Sequence, residues 1–381
     1  MKILTLDIGT GTQDIFLFDS QLDPENCLKM VMPSPTMQVR HRLIAATRLK
    51  QAVLLTGVIM GGGPSQWAVE AHLRAGLPVY ATPPAARSFN DDLEVVKEMG
   101  ITLVSEEEAD RLPVPITRLE MKDFDYPAVA RAFASFGVAL DALDAVAIAV
   151  FDHGDAPPGV SDRKFRFEYL DRRIRLENRL SAFAYRAEDI PPFLTRMQAV
   201  AVSARGLDAP LVVMDTAPAA ILGATHDPRV AARKRVIIAN IGNFHTLAFR
   251  LGPAGLEGVF EHHTGFLDRS KLERLLLSLA DGSLKDEDVF ADQGHGALIY
   301  NPDPLSLSGD GFGVVVTGPR RNLVKGSRVL KPYFAVPLGD MMIAGNIGLL
   351  SAVADLLPYL REPIQNWLDG NLGLPPWDKR D

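Results

Sequence analysis

Residues 3–8 and 14–18 are apolar runs of strand length separated by Gly9-Thr10-Gly11-Thr12, a spacing that predicts two antiparallel strands joined by a tight turn. An apolar run at 27–32, ending at Pro33, predicts a third strand, and a helical period follows from Thr36 to Lys50. From Ala52 the pattern changes to short apolar runs alternating with amphipathic stretches: strand 53–58, a Gly-rich loop, helix 64–75, strand 78–81, helix 89–99 and strand 101–104. This predicts a small α/β insertion at about 52–125. A strand at 145–151 runs into Asp152 to Phe167, polar and Pro-rich and read as a loop of functional length. After a helix at 191–205 and a strand at 211–214, Thr216 to Ala224 reads as a small-residue helix suited to close packing. The order then restarts with strand 236–241, a turn at Gly242-Asn243, strands at 244–251 and 257–262, and helix 268–280.

Each half opens on strand, Gly-containing turn and strand, which predicts an internal duplication. The expected organisation is a first lobe over 1–225 carrying the insertion, a second lobe over 226–360 and a C-terminal tail over 361–381. Each lobe would hold a mixed sheet of about five strands with flanking helices. With 381 residues the chain exceeds what a single core of about 250 residues accommodates.

Composition narrows the chemistry. The chain is 47% hydrophobic and 23% charged, with a net charge of −7 spread along it, so no basic surface recruits nucleic acid. Cys27 is the only cysteine, which excludes an intramolecular disulfide, a thiolate zinc cage and a cysteine-ligated iron–sulfur cluster held by this chain alone. Asp7 interrupts the N-terminal apolar run, and no apolar stretch approaches the roughly 20 residues of a membrane span. A cytoplasmic protein acting on a small molecule is expected, without a membrane partner and with a homo-oligomer left open.

Asp7-Ile8-Gly9-Thr10-Gly11-Thr12-Gln13-Asp14-Ile15-Phe16-Leu17-Phe18-Asp19 resembles the first phosphate motif of the actin, Hsp70 and sugar-kinase superfamily. Further segments resemble that superfamily in the same order. Ala217 to Ala224 is similar to its first connecting helix, and Ile237 to Thr246 to its second phosphate hairpin. Val314 to Asn322 resembles the adenosine strand and loop, and Gly339 to Ala352 the second connecting helix. The resemblance implies a two-lobed actin-like ATPase (ribonuclease H-like) α/β fold, with duplicated mixed-sheet domains around a central cleft.

It also implies ATP and Mg²⁺ as cofactors. Phosphates would meet Gly9, Thr10, Gly11 and Thr12 on one side and Asn240, Gly242, Asn243, His245 and Thr246 on the other. Gly318 and Asn322 would meet the nucleoside, and Asp7 would hold the metal through water. Two positions depart from the pattern. Asn240 stands where the second hairpin carries Asp and brings no negative charge. Pro319 stands where the adenosine loop has its second glycine, removing a backbone N–H. At closer range the chain resembles an uncharacterised branch labelled "putative pyruvate formate-lyase activating enzyme". A glycyl-radical activase needs three cysteines for its cluster, so that activity is excluded.

Asp152, His153 and Asp155 place an imidazole between two carboxylates after a core-type strand, a constellation for acid–base chemistry on a substrate hydroxyl or for a capped turn. Arg163, Lys164 and Arg166 read as a solvated basic loop or as a clamp for a phosphorylated or carboxylated ligand. His245, His262, His263 and His295, with Glu261 or Asp292, carry the donors of a Zn²⁺, Mn²⁺ or Fe²⁺ site if the fold gathers them. Neighbouring strand residues face opposite ways, so His262 and His263 cannot both join it. Met60-Gly61-Gly62-Gly63-Pro64-Ser65 reads as a tight strand-to-helix turn or an anion cradle. Three functions fit: an ATP-dependent kinase or ATPase, a non-catalytic regulatory nucleotide-binding protein, or a metal-dependent enzyme using the cleft histidines.

Overall fold

A computed structural model describes residues 1–113, 115–308, 311–370 and 373–379. Strand β1 (Lys2–Ile8) turns back into β2 (Thr12–Asp19), which pairs with β3 (Leu28–Pro33). A separate parallel sheet of order β6-β5-β4-β7 holds β4 (Ala52–Gly57), β5 (Val79–Ala81), β6 (Thr102–Leu103) and β7 (Ile116–Met121). The chain then returns to the first sheet with β8 (Ala145–Val150), β9 (Ala184–Arg186) and β10 (Leu211–Asp215). A further sheet contains β11 (Val236–Ile241), β12 (His245–Gly252), β13 (Gly255–His263), β14 (Gly294–Ile299), β15 (Val314–Thr317) and β16 (Tyr333–Phe334).

The two large sheets have orders β3-β2-β1-β8-β10-β9 and β14-β13-β12-β11-β15-β16. Set β1 against β11, and five strands correspond one to one, β3-β2-β1-β8-β10 with β13-β12-β11-β15-β16. In each copy the first two pairings are antiparallel, and the next two parallel. The copies differ in the added strand, β9 beside β10 in one and β14 beside β13 in the other. This is the two-lobed, duplicated actin-like fold, with β4 to β7 as a third sheet inserted between β3 and β8.

Sequence explains the placement. All six residues of β8, Ala-Val-Ala-Ile-Ala-Val, are buried, as a strand covered on both faces requires. One face of that sheet packs under Phe124, Leu170 and Phe183; the other packs under the helix Ala344–Leu356. That helix crosses the small-residue helix Thr216–Ala224 at two glycines. A Cβ on Gly223 would overlap the Ala344 carbonyl oxygen, and one on Gly348 that of Ala219, so the backbones touch where only hydrogen fits. Among the described residues no single helix is long and apolar enough to cross a membrane.

Three expectations are corrected. The segment 152–167 is irregular only as far as Ser161; a helix spans Asp162–Leu176. Its buried positions Arg166, Phe167, Leu170 and Ile174 recur at helical spacing, but an arginine on the inner face and eight more charges along the helix mask the period. β14 was not anticipated, because it opens on Gly294-His295-Gly296, a sequence that reads as a turn. The expected tail begins with a helix, Arg361–Leu368, whose buried Trp367 packs edge-on against Phe18 and donates to the Leu22 carbonyl.

Candidate functional site

The β1–β2 and β11–β12 turns have the same closing bond. Gly9 N–H donates to Thr12 O at 2.9 Å, and Gly242 N–H donates to His245 O at 2.9 Å. The turns meet across the lobes: a Cβ on Gly11 would stand 3.2 Å from Asn243 Nδ2. Around them opens a cleft of about 920 Å³, lined by both turns, the insertion loops at 59–63 and 87–92, the segment 151–160 and the Thr317–Pro319 turn. Of the expected phosphate and nucleoside residues, Asp7, Gly9 to Thr12, Asn240, Gly242, Asn243, His245 and Gly318 line it; Thr246 and Asn322 do not. Thr246 is buried, its hydroxyl 2.9 Å from that of Thr264. Gly318 is needed where it stands, at φ +94°, because a Cβ would press on Asn240 Oδ1 and the Ile241 carbonyl. Pro319 lines the cleft beside it.

At the cleft floor β1 and β2 pair Asp7 directly with Asp14. Asp7 Oδ1 accepts from Thr216 Oγ1 at 2.6 Å, while its Oδ2 lies where Gly345 leaves room. Asp14 Oδ1 is buried without a hydrogen-bond partner among the described residues. Burial pushes Asp7 up to about 6, against the Thr216 bond and with the help of Asp215. Burial, then Asp7 and Asp340, push Asp14 up to about 7. Two adjacent carboxyls that resist full ionisation are poised to share a proton or take a cation. Asp14 was missed in the sequence reading, although the hairpin register around Gly9–Thr12 puts it opposite Asp7.

The Asp152–Asp155 segment forms another wall. Asp152 is buried, with Oδ1 accepting from Gly154 N–H at 2.8 Å and Oδ2 from Met197 N–H at 2.9 Å. Both oxygens thus hold backbone, closing the turn and the first turn of the helix Thr195–Ser203. Asp155 and exposed His153 remain on the cleft side, joined there by Asp91 from the insertion. Burial raises Asp91, with His153 opposing and Asp155 and Asp162 reinforcing the rise. Arg196 ties this wall to the insertion, donating to Asp123 at 2.7 and 3.0 Å and to the Phe151 carbonyl at 2.8 Å. The Gly-rich loop is packed against protein, with Phe244 under Gly63.

Arg166 is neither solvated nor a ligand clamp. It is fully buried, donating Nη1 to Asp215 Oδ2 and Nε to Glu261 Oε2, each at 2.7 Å, so one guanidinium joins a carboxylate of each lobe. Arg163 bonds the Phe290 and Gly294 carbonyls, and Lys164 is exposed. Beside this network, β12 sets His245 opposite His263 on β13, and His295 arrives from β14 at the β13 bulge. The ring centroids are 5.0 Å apart for His245–His263, 4.9 Å for His245–His295 and 4.6 Å for His263–His295. Phe151 stacks on His245 at 4.0 Å. His262 faces away, toward Asp292 at 3.5 Å.

Comparison with known proteins places the chain. A family described as "Putative pyruvate format-lyase activating enzyme (DUF1786)" matches residues 60–323. The chain belongs to that family. No curated protein matches it. Among solved structures it is similar to the activator of the 2-hydroxyisocaproyl-CoA dehydratase from Clostridium difficile with bound ADPNP. That likeness has 11% identity over 95% of this chain and 98% of that one, with a TM-score of 0.35. It is similar to the ethanolamine utilization protein EutJ from Carboxydothermus hydrogenoformans at 11% identity, 92% and 89% coverage and a TM-score of 0.32. With the ROK hexokinase from Thermus thermophilus it shares 12% identity over 67% and 47%, at a TM-score of 0.23. Likenesses this remote leave the chemistry to the site itself. The single thiol, Cys27, is buried and pushed up to about 12 by that burial.

Proposed function

We propose that this family member binds ATP with Mg²⁺ between its two glycine turns and transfers or hydrolyses the terminal phosphoryl group, with a small molecule as acceptor. The observation that carries the reading is the pair of equivalent turns, Gly9–Thr12 and Gly242–His245, facing each other above the Asp7–Asp14 carboxyls. Such turns leave backbone N–H groups close to whatever fills the cleft, which suits phosphate oxygens. The orphaned Asp14 Oδ1 and the space that Gly345 leaves at Asp7 Oδ2 fit a hydrated Mg²⁺. When bound, the ion would neutralise phosphate charge and polarise the reacting phosphorus. A cation is also called for electrostatically, since the guanidiniums of Arg87, Arg196 and Arg321 are outnumbered by carboxylates along the lining.

Asp152 holds backbone with both oxygens, so the proton of an acceptor hydroxyl passes to the Asp91–Asp155 pair, with His153 beside it. Burial raises the pKa of Asp91, which makes it a stronger base than an ordinary carboxylate. The alternative of a non-catalytic nucleotide sensor draws support from Asn240, an uncharged group in the second turn. Both readings require binding. Millimolar ATP with Mg²⁺ is expected to raise the melting temperature, and Asp7→Ala to remove the Mg²⁺-dependent part of that rise. No shift in the wild type, or equal loss with and without Mg²⁺ in Asp7→Ala, contradicts the proposal.

A further inference from the structure

Behind the second turn, the histidine cluster is a construction that nucleotide binding does not explain. His245, His263 and His295 come from three adjacent strands and offer nitrogen atoms that all lie within 4.8 Å of one another. Glu261, two residues before His263 and so on the same strand face, is fully buried next to them. Its Oε1 stands 3.1 Å from His245 Nδ1 and 3.8 Å from His295 Nε2. Among the described residues none of His245 Nδ1, His295 Nδ1 or Glu261 Oε1 has a hydrogen-bond partner, the short His245–Glu261 approach being misaligned for one.

Buried polar atoms in native proteins are nearly always satisfied, and three unsatisfied atoms within one side-chain cluster call for a ligand. We propose that His245, His263 and His295, with Glu261, form a binding site for one divalent first-row transition metal. Three imidazoles and a carboxylate without thiolate are the donor set of zinc or ferrous iron. Burial lowers the pKa of each imidazole, against the pull of the Glu261 carboxylate. Arg166 holds the other oxygen of Glu261 at 2.7 Å and fixes the carboxylate as an outer partner fixes a ligand. His245 and His263 are only partly buried, which gives the ion a way in and leaves a position open to an exchangeable group. His245 also lines the cleft, at the place of Thr12 in the equivalent turn, so the ion would sit one side chain from the proposed phosphate site.

The test needs no nucleotide and stands apart from the preceding proposal. Untagged full-length protein, stripped by chelator, is titrated with Co²⁺ and Zn²⁺ while visible absorption and bound metal per chain are measured. The expected result is one equivalent of tightly bound metal, with the intense visible bands of low-symmetry Co²⁺ that Zn²⁺ bleaches. His263→Gln and the double variant His245→Gln/His263→Gln should weaken Co²⁺ at least about 100-fold. His262→Gln, on the other face of the strand, should not. Because His263 is partly exposed, its variant keeps the fold testable by circular dichroism. Absence of stoichiometric metal in the wild type, retention of it in the double variant, or equal loss in His262→Gln overturns the proposal.

Discussion

At the scale of single residues, Asp14 carries the most information. Its folded pKa of about 7, against the ordinary 3.8, means the native chain binds its proton more tightly than the unfolded chain does. Asp7, at about 6, adds to the same effect. Unfolding free energy from this pair therefore falls as pH rises from about 4 to about 7 and is level above. Metal-free Asp14→Asn should melt higher than the wild type at pH 8, with the gap closing toward pH 5. A gap that does not change with pH would show that Asp14 ionises normally in the fold. The glycine turns and Asp7 were legible in the sequence because a strand–turn–strand is local and its chemistry contiguous. Asp14 was legible in principle, through the hairpin register. Arg166 was not: nothing near it in the chain announces that Asp215 and Glu261 will close around it. Glu261 shows what that closure does, for burial alone would raise its carboxyl, yet Arg166 and His295 hold it well below the usual range.

At the scale of elements, the two connecting helices set the geometry of the cleft. Asp7 and Gly345 meet at the start of one, and Thr216, which bonds Asp7, starts the other. Their crossing at Gly223 and Gly348 allows no added atom, so Gly348→Ala must push the helices apart. An overpacked contact of this kind costs about 1–3 kcal/mol. The expected outcome is a melting temperature lowered by several degrees, together with weaker Mg²⁺-dependent nucleotide binding because Asp7 loses its neighbours' positions. A variant as stable as the wild type would mean that the helices have slack there. The small residues of Thr216–Ala224 announced this helix in the sequence. The histidine cluster was harder to foresee, because its assembly depends on the register of β12, β13 and β14 together, and β14 hides behind two glycines. Each of its residues was recognisable as a donor; their meeting was not.

At the scale of the whole molecule, the duplicated sheets face each other across a cleft, and the bonds that tie its halves include the helix crossing, the Arg166 staple between Asp215 and Glu261, and the Arg163 bonds to the Phe290 and Gly294 carbonyls. At the mouth Gly11 meets Asn243, and Phe244 packs under Gly63 of the insertion. This arrangement serves a ligand held from both sides by backbone, and the central claim is that the ligand is a nucleoside triphosphate with Mg²⁺. The most direct measurement is calorimetric titration of a non-hydrolysable ATP analogue into wild-type protein and Gly11→Val, with and without Mg²⁺. The account predicts one site per chain in the wild type, dependent on Mg²⁺. It predicts at least a tenfold loss, about 1.4 kcal/mol, in Gly11→Val, whose side chain would press on Asn243 and cover the turn. Absence of binding to the wild type at millimolar analogue, or equal affinity in the two proteins, would contradict it.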